Sequence, residues 1–213
     1  SIRRQRQMCI RDRCNTMPMT VSKTRDMLVD VARQLFARMG VDNTTMNDIA
    51  QASRKGRRTL YTYFKSKNEI YLAVVESELD QLHKMLVDVA SKDLPADEKL
   101  LTFIYSRLDA VKALVFRNGT LRATFFRDIW RVEKVRKSFD LREVEIIKGI
   151  LDDGVKEGIF SMPDTDITAL VLHHALKGLE VPYIRGIMGD NISQRIKRRD
   201  NVMNLIFNGI KIK

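Results

Sequence analysis

Residues 44–67 read TTMNDIAQASRKGRRTLYTYFKSK, and this stretch decides the fold. Asn43, Thr44 and Thr45 offer caps for a short helix containing Met46, Ile49 and Ala50. Their side-chain oxygens can accept from the backbone N–H groups that the first turn of a helix leaves unpaired. A second short segment runs from about Arg57 to Phe64, and between the two stands a tight basic turn of Ser53, Arg54, Lys55 and Gly56. Two short helices joined in this way make a helix-turn-helix, whose second helix must be slim and positive enough to enter a major groove about 12 Å wide. Arg57, Arg58 and Thr59 stand at the N-terminal end of that second helix, the end that reaches base edges. Arginine can pair there with guanine O6 and N7 through two hydrogen bonds. Tyr61, Tyr63 and Lys67 offer two phenols and an ammonium to phosphates, contacts that set register rather than sequence preference. The expected DNA-binding set is therefore Thr44, Thr45, Arg54, Lys55, Gly56, Arg57, Arg58, Thr59, Tyr61, Thr62, Tyr63 and Lys67. Leu60 and Phe64 are assigned to the core, and one of Tyr61 and Tyr63 fits a core position as well as it fits a phosphate contact.

Upstream, Met27, Leu28, Val31, Ala32, Leu35, Phe36 and Met39 draw one helical stripe, which Gly40 closes by its ability to take the left-handed conformation. Downstream, Ser66 and Glu69 have the S-x-x-E spacing of a capping box and open a long helix through Leu72, Val75, Leu79, Leu82, Leu86 and Val89. Pro95 suits a first helical turn before Leu100, Leu101, Ile104, Leu108, Val111 and Val115, a run that Asn118 and Gly119 break. An aromatic helix with Phe125, Phe126, Ile129 and Trp130 comes next, then one carrying Leu141, Val144, Ile147, Ile150, Leu151 and Val155 that stops at Gly158. Asp164 caps a helix from about Thr165 to Val181, interrupted or kinked at Pro182, and the last helix runs from about Ser193 to Ile210. No apolar alternation persists long enough for a strand. The expected fold is all-α, with nine helices in two parts: a head of three short helices and a body of six longer ones.

The charge distribution agrees with a two-part chain. The 213 residues carry a net charge of +11. Residues 20–67 hold ten basic and four acidic side chains, whereas residues 68–213 hold 23 and 22. A positive module in front of a near-neutral body is the electrostatic footprint of polyanion binding. Residues 1–13 add five arginines against one aspartate but show no apolar period and no cap. Residues 1–19 are accordingly read as a non-native or disordered extension, with a natural start at Met17 or Met19. That start would remove Cys9 and Cys14, leaving a cysteine-free chain suited to the reducing cytosol. The domains expected are 20–66 for DNA binding and 67–213 for effector binding and dimerisation. Uncharged stretches such as residues 167–176 are far too short to cross a bilayer, so the chain is expected to be soluble and cytoplasmic, with no membrane partner.

The stretch resembles the DNA-binding motif of the TetR/AcrR family of bacterial transcription regulators. The matching residues are TT (Thr44, Thr45), D-I-A (Asp48, Ile49, Ala50), T-L-Y (Thr59, Leu60, Tyr61), Y-F (Tyr63, Phe64) and S-K (Ser66, Lys67), preceded by Leu35, Phe36 and Gly40. The resemblance is specific over residues 24–75 and architectural beyond them. It implies an all-helical homodimer with a three-helix head, a linking helix, and a body that holds an effector pocket and the dimer interface. The turn departs from the family pattern. Where A-G-V-S is usual, this chain has Ser53, Arg54, Lys55 and Gly56, so cations replace the turn glycine and the buried valine, and glycine replaces the capping serine.

For the body, the resemblance implies a small apolar effector among the middle helices, with Phe103, Tyr105, Phe125, Phe126, Trp130 and His173 as candidate lining residues. A two-fold four-helix interface would use Leu172, Leu176 and Leu179 with Val202, Leu205 and Ile206. His173 and His174 are neighbours pointing about 100° apart, and neither has a cysteine or second histidine at i+4, so no metal site is expected. No P-loop, G-x-G-x-x-G or G-x-S-x-G occurs, and paired acids such as Asp152 and Asp153 do not converge. No cofactor, catalytic residue or enzyme activity is expected. The favoured reading is a ligand-responsive repressor on a pseudo-palindromic operator. The alternative is a helical small-molecule or partner-binding protein with impaired operator recognition.

Overall fold

A computed structural model describes residues 19–117 and 129–186, together with residues 201 and 204. Among the described residues there are seven helices and no extended strand: α1 (Met19–Met39), α2 (Met46–Ala52), α3 (Arg57–Tyr63), α4 (Lys67–Ala90), α5 (Ala96–Arg117), α6 (Ile129–Lys156) and α7 (Thr165–Ile184). Against the expectation of nine helices, the described residues hold these seven. Ile129 and Trp130, assigned above to a separate aromatic helix, form the first turn of α6, which continues unbroken to Lys156. No glycine or proline stands between Trp130 and Ile147 to end it. Phe125, Phe126 and the expected helix at 193–210 lie outside the described residues. Nor does Pro182 stop α7, which continues to Ile184.

The chain divides into two compact units, Ser1–Val74 and Val75–Lys213, with the boundary inside α4. In the first, α1 packs on α2 and α2 on α3. Leu28, Ala32 and Phe36 from the α1 stripe meet Ile49, Leu60, Phe64, Ile70 and Tyr71 in a core from which water is almost excluded. The rings of Phe36 and Tyr71 stand edge to face at 6.3 Å. Helices of seven residues are too short to persist alone in water. Each buried Leu, Ile or Phe contributes about 1.5–3 kcal/mol, so packing holds α2 and α3, with local caps setting their ends. Gly40 takes φ 87° and donates its N–H to Phe36 O at 3.0 Å, ending α1 as its position suggests.

In the second unit α5, α6 and α7 pack against one another. Their shared core holds Phe103, Ile104 and Leu108 from α5, Phe139, Ile147, Ile150 and Leu151 from α6, and Ala169, Leu176 and Ile184 from α7. Asp164 caps α7 by accepting from Ile167 N at 2.9 Å. Gly154, inside α6, has a reason invisible in the periodicity: a Cβ there would stand 2.1 Å from Phe160 Cδ2, so the buried Phe160 ring rests on bare helix backbone.

Candidate nucleic-acid interface and the charged core of the body

The turn between α2 and α3 is built from its caps. Thr45 begins α2 with a reciprocal box: Asp48 N donates to Thr45 Oγ1 at 3.2 Å, and Thr45 N donates to Asp48 Oδ2 at 2.8 Å. These hydrogen bonds, backbone first, hold the Asp48 carboxyl below its ordinary range. At the other end Arg54 adopts φ 53°, its N–H meeting Gln51 O at 3.0 Å, while Lys55 N meets Ala50 O at 3.1 Å. This bond pair is the Schellman closure of a helix, which normally places glycine at the left-handed position. The chain thus makes this closure with arginine in glycine's usual place, at a cost of about 1–2 kcal/mol. Lys55, in the place of the buried valine, is exposed. Gly56 precedes α3 with no side-chain cap.

The consequence is a run of cations on one edge of the head. Arg54, Lys55, Arg57, Arg58 and Lys65 are all exposed, and among the described residues none of their side chains enters an ion pair. Leu60 and Phe64 are buried beneath them, with the Arg25 guanidinium 5.4 Å from the Phe64 ring centroid. Tyr61 is 43 % exposed and Tyr63 half-buried, so Tyr61 faces water. Thr59 is half-buried, and Thr62, though exposed, donates its hydroxyl to Arg58 O at 3.0 Å.

Two residues of the expected set have other engagements. Thr44 is fully buried, so the expectation that it meets DNA is corrected: its hydroxyl donates to Gly40 O at 2.7 Å and fastens the turn that presents Thr45. Lys67 is half-buried, and its ammonium donates to Val41 O at 2.7 Å and Asp42 O at 3.2 Å. It ties the start of α4 to the loop between α1 and α2. Ser66 accepts from Glu69 N at 3.2 Å, while the Glu69 carboxylate accepts from Lys65 N at 2.7 Å, closing the expected capping box one residue early.

The body core is not apolar throughout. Arg107 on α5 is fully buried, its Nε donating to Glu143 on α6 and its Nη2 to Glu180 Oε1 on α7 at 2.8 Å. Arg136 approaches Glu180 Oε2 at 3.5 Å, and Lys177 donates to Asp140 Oδ2 at 2.6 Å. Burial pushes Arg107 towards deprotonation, but the two glutamates outweigh it and its pKa is raised. For Glu143, burial raises the pKa, yet His173 and Arg107 beside it hold the carboxyl below its ordinary range. A buried charge without such partners would cost several kcal/mol. Asp140, Glu143 and His173 offer ligand atoms that all lie within 4.8 Å of one another. Sequence reasoning missed this cluster because it sought a histidine or cysteine at i+4. The legible part was Asp140 and Glu143 at i,i+3 on one helix face.

Of the pocket candidates, Phe103 and His173 are buried and Tyr105 is half-buried. Phe125 and Phe126 lie outside the described residues, as does the side chain of Trp130. Of the interface candidates, Leu176 is buried within the chain and Leu172 and Leu179 are half-buried, while Val202, Leu205 and Ile206 lie outside the described residues. The apolar residues that α7 leaves to solvent are Ile167 (61 %), Leu170, Val171 (61 %) and Val181. With Ala175 and Gly178, also exposed, they form a stripe at helical spacing. The outward face of α7 is therefore this stripe, and Leu176 faces inward. No described helix is long and apolar enough to cross a membrane.

Residues 28–74 match the model of the bacterial regulatory proteins of the tetR family. Among curated proteins the chain is 28% identical over 158 residues to the HTH-type transcriptional repressor KstR2 of Mycolicibacterium smegmatis, covering 70% of this chain and 73% of that protein. It is 20% identical over 189 residues to the HTH-type transcriptional regulator QacR of Staphylococcus aureus, covering 87% and 97%. Among solved structures, a transcriptional regulator from Cytophaga hutchinsonii superposes with a TM-score of 0.69 at 24% identity, covering 88% of this chain and 98% of that one.

Proposed function

We propose that the chain is a DNA-binding transcriptional regulator of the tetR family, whose model matches residues 28–74, and that it acts as a cytoplasmic homodimeric repressor whose α3 docks on a pseudo-palindromic operator. The observation that carries this reading is the exposed set of Arg54, Lys55, Arg57 and Arg58, without acidic partners among the described residues, on an edge whose underside is fixed by Leu60 and Phe64. Arg57 and Arg58 open α3, where base edges come within reach. Arg54 and Lys55 sit in the preceding turn, where phosphates run. Thr45, Thr59, Tyr61, Thr62 and Tyr63 add polar contacts to the backbone, with Gly56 leaving room for close approach, while Thr44 and Lys67 support the head from within.

Two copies would pair through the outward stripe of α7, and a two-fold partner would cover Ile167, Val171 and Val181. The effector is a small molecule with an apolar body. Its binding would change the separation of the two heads and so break the register that half-site spacing demands.

The test is a fluorescence titration of operator-containing and scrambled duplexes with the parent chain and Arg58→Ala. Specific affinity should fall by about 1–3 kcal/mol with scrambled binding less affected. Equal loss on both duplexes would remove Arg58 from base readout, and no preference of the parent for any genomic fragment would favour a partner-binding protein with impaired operator recognition.

A further inference from the structure

His173 lies in α7 with 1 % of its surface exposed, and neither of its ring nitrogens has a well-formed hydrogen bond among the described residues. Two carboxylates face it. Glu143 Oε2 is 3.2 Å from Nδ1, and Asp140 Oδ1 is 3.8 Å from Nε2, beyond hydrogen-bond range. Each carboxylate has its other oxygen held by a fixed cation: Lys177 on Asp140 Oδ2 and Arg107 Nε on Glu143 Oε1. Asp140 Oδ1 is buried and has no hydrogen-bond donor among the described residues. Lys177 thus anchors Asp140 by one oxygen and leaves Oδ1 to the imidazole, while Arg107 reaches both oxygens of Glu143, its Nη2 standing 3.3 Å from the Oε2 that faces His173.

A neutral imidazole has one nitrogen that donates and one that only accepts. With both nitrogens near acceptor-only oxygens, one contact sets lone pair against lone pair, an arrangement that burial penalises. A cation among the three groups removes that conflict. The spacing suits one: two ligands each about 2.1 Å from a single ion stand roughly 3.0–3.4 Å apart at coordination angles of 90–109°. The 3.2 and 3.8 Å distances run to different ring nitrogens, of which one ion takes only one; counted as one ligand atom per residue, the three groups lie within 4.8 Å of one another, wider than this spacing, so the site would contract on binding. Imidazole with two carboxylates is a donor set for first-row divalent ions such as Zn2+.

We propose that Asp140, Glu143 and His173 form a binding site for one divalent transition-metal cation in the body, with Arg107 and Lys177 orienting the two carboxylates from outside. The site joins α6 to α7, and the lysine and arginine play the part that outer hydrogen-bond partners play around other metal centres. It does not depend on which operator or effector the regulator uses.

The test uses the full chain with Cys9→Ser and Cys14→Ser, so that thiols cannot contribute, stripped with a chelator and titrated with Zn2+ against a chromogenic competitor. One equivalent should bind per chain. His173→Asn and Asp140→Asn should each weaken binding by about 100-fold or more, the upper end of what even an outer partner contributes, whereas His174→Asn should leave it unchanged. Zn2+ should raise the thermal midpoint of the cysteine-free parent and not of the two site variants. X-ray absorption of that loaded parent keeps the proposal testable even where a variant fails to fold, and should report one imidazole with oxygen donors. No stoichiometric binding, affinity indifferent to His173 and Asp140, or a coordination shell with no imidazole or more than one would overturn the site.

Discussion

Replacing Arg54 separates two roles that the structure places on one residue. Its backbone stands at φ 53° in the turn that closes α2, and its side chain is exposed beside α3. Arg54→Ala keeps the left-handed strain and removes the charge; Arg54→Gly removes both. A left-handed non-glycine residue costs about 1–2 kcal/mol, while glycine's added freedom in the unfolded chain returns about 0.5–1 kcal/mol of that. Arg54→Gly should therefore make the head more stable than Arg54→Ala by about 0.5–1 kcal/mol. Urea unfolding combined with hydrogen exchange at the amides of residues 46–63 measures the difference. On DNA the two variants should behave alike. If Arg54 neutralises one phosphate per protomer, each loses about 0.9 from the slope of log affinity against log salt per protomer. Between 50 and 200 mM salt that is roughly a threefold change for each half-site. A glycine variant less stable than the alanine variant would show that the left-handed backbone at position 54 carries no strain for glycine to relieve. An unchanged salt slope in both variants would place Arg54 away from phosphates and refute the docking geometry.

Lys67→Ala removes charged hydrogen bonds to Val41 O and Asp42 O, so head stability should fall by about 1.5–3 kcal/mol in urea unfolding; loss of DNA affinity at unchanged stability would make Lys67 a phosphate contact instead. Val171→Glu places a charge in the middle of the exposed α7 stripe, and sedimentation should report a monomer with intact helicity; a persistent dimer would locate the interface elsewhere. Gly154→Ala sets a methyl against the Phe160 ring and should destabilise the body by about 1–3 kcal/mol in thermal unfolding, with Phe160→Leu in the same background recovering part of the loss.

What the sequence discloses best is what lies in local spacing. The apolar stripe of α1, the left-handed Gly40 and the Asp164 cap were legible because each involves residues within one or two turns. The basic turn is legible as a departure from the motif it resembles, but not that Arg54 takes the left-handed conformation usual for glycine, since nothing in the string states φ. Thr44 and Thr45 look equivalent as caps; only the packed head determines that one hydroxyl turns inward to Gly40 and the other meets Asp48. Lys67 was read as a phosphate ligand because its carbonyl partners stand 25 and 26 residues away, beyond any period. The same limit hid the Arg107 network and the Asp140, Glu143 and His173 cluster, which three helices assemble. On α7 the apolar residues were visible all round the helix, but which of them face inward is settled by α5 and α6.

The buried trio of Arg107, Glu143 and Glu180 constrains how this body can change over descent. Removing Arg107 strands two carboxylates away from water, with a loss of about 3–5 kcal/mol, whereas exchanging all three for well-fitted apolar side chains would be neutral or better. The single step that removes Arg107 is therefore steep and the concerted step is nearly level. Lineages that keep either buried glutamate should keep Arg107 with it.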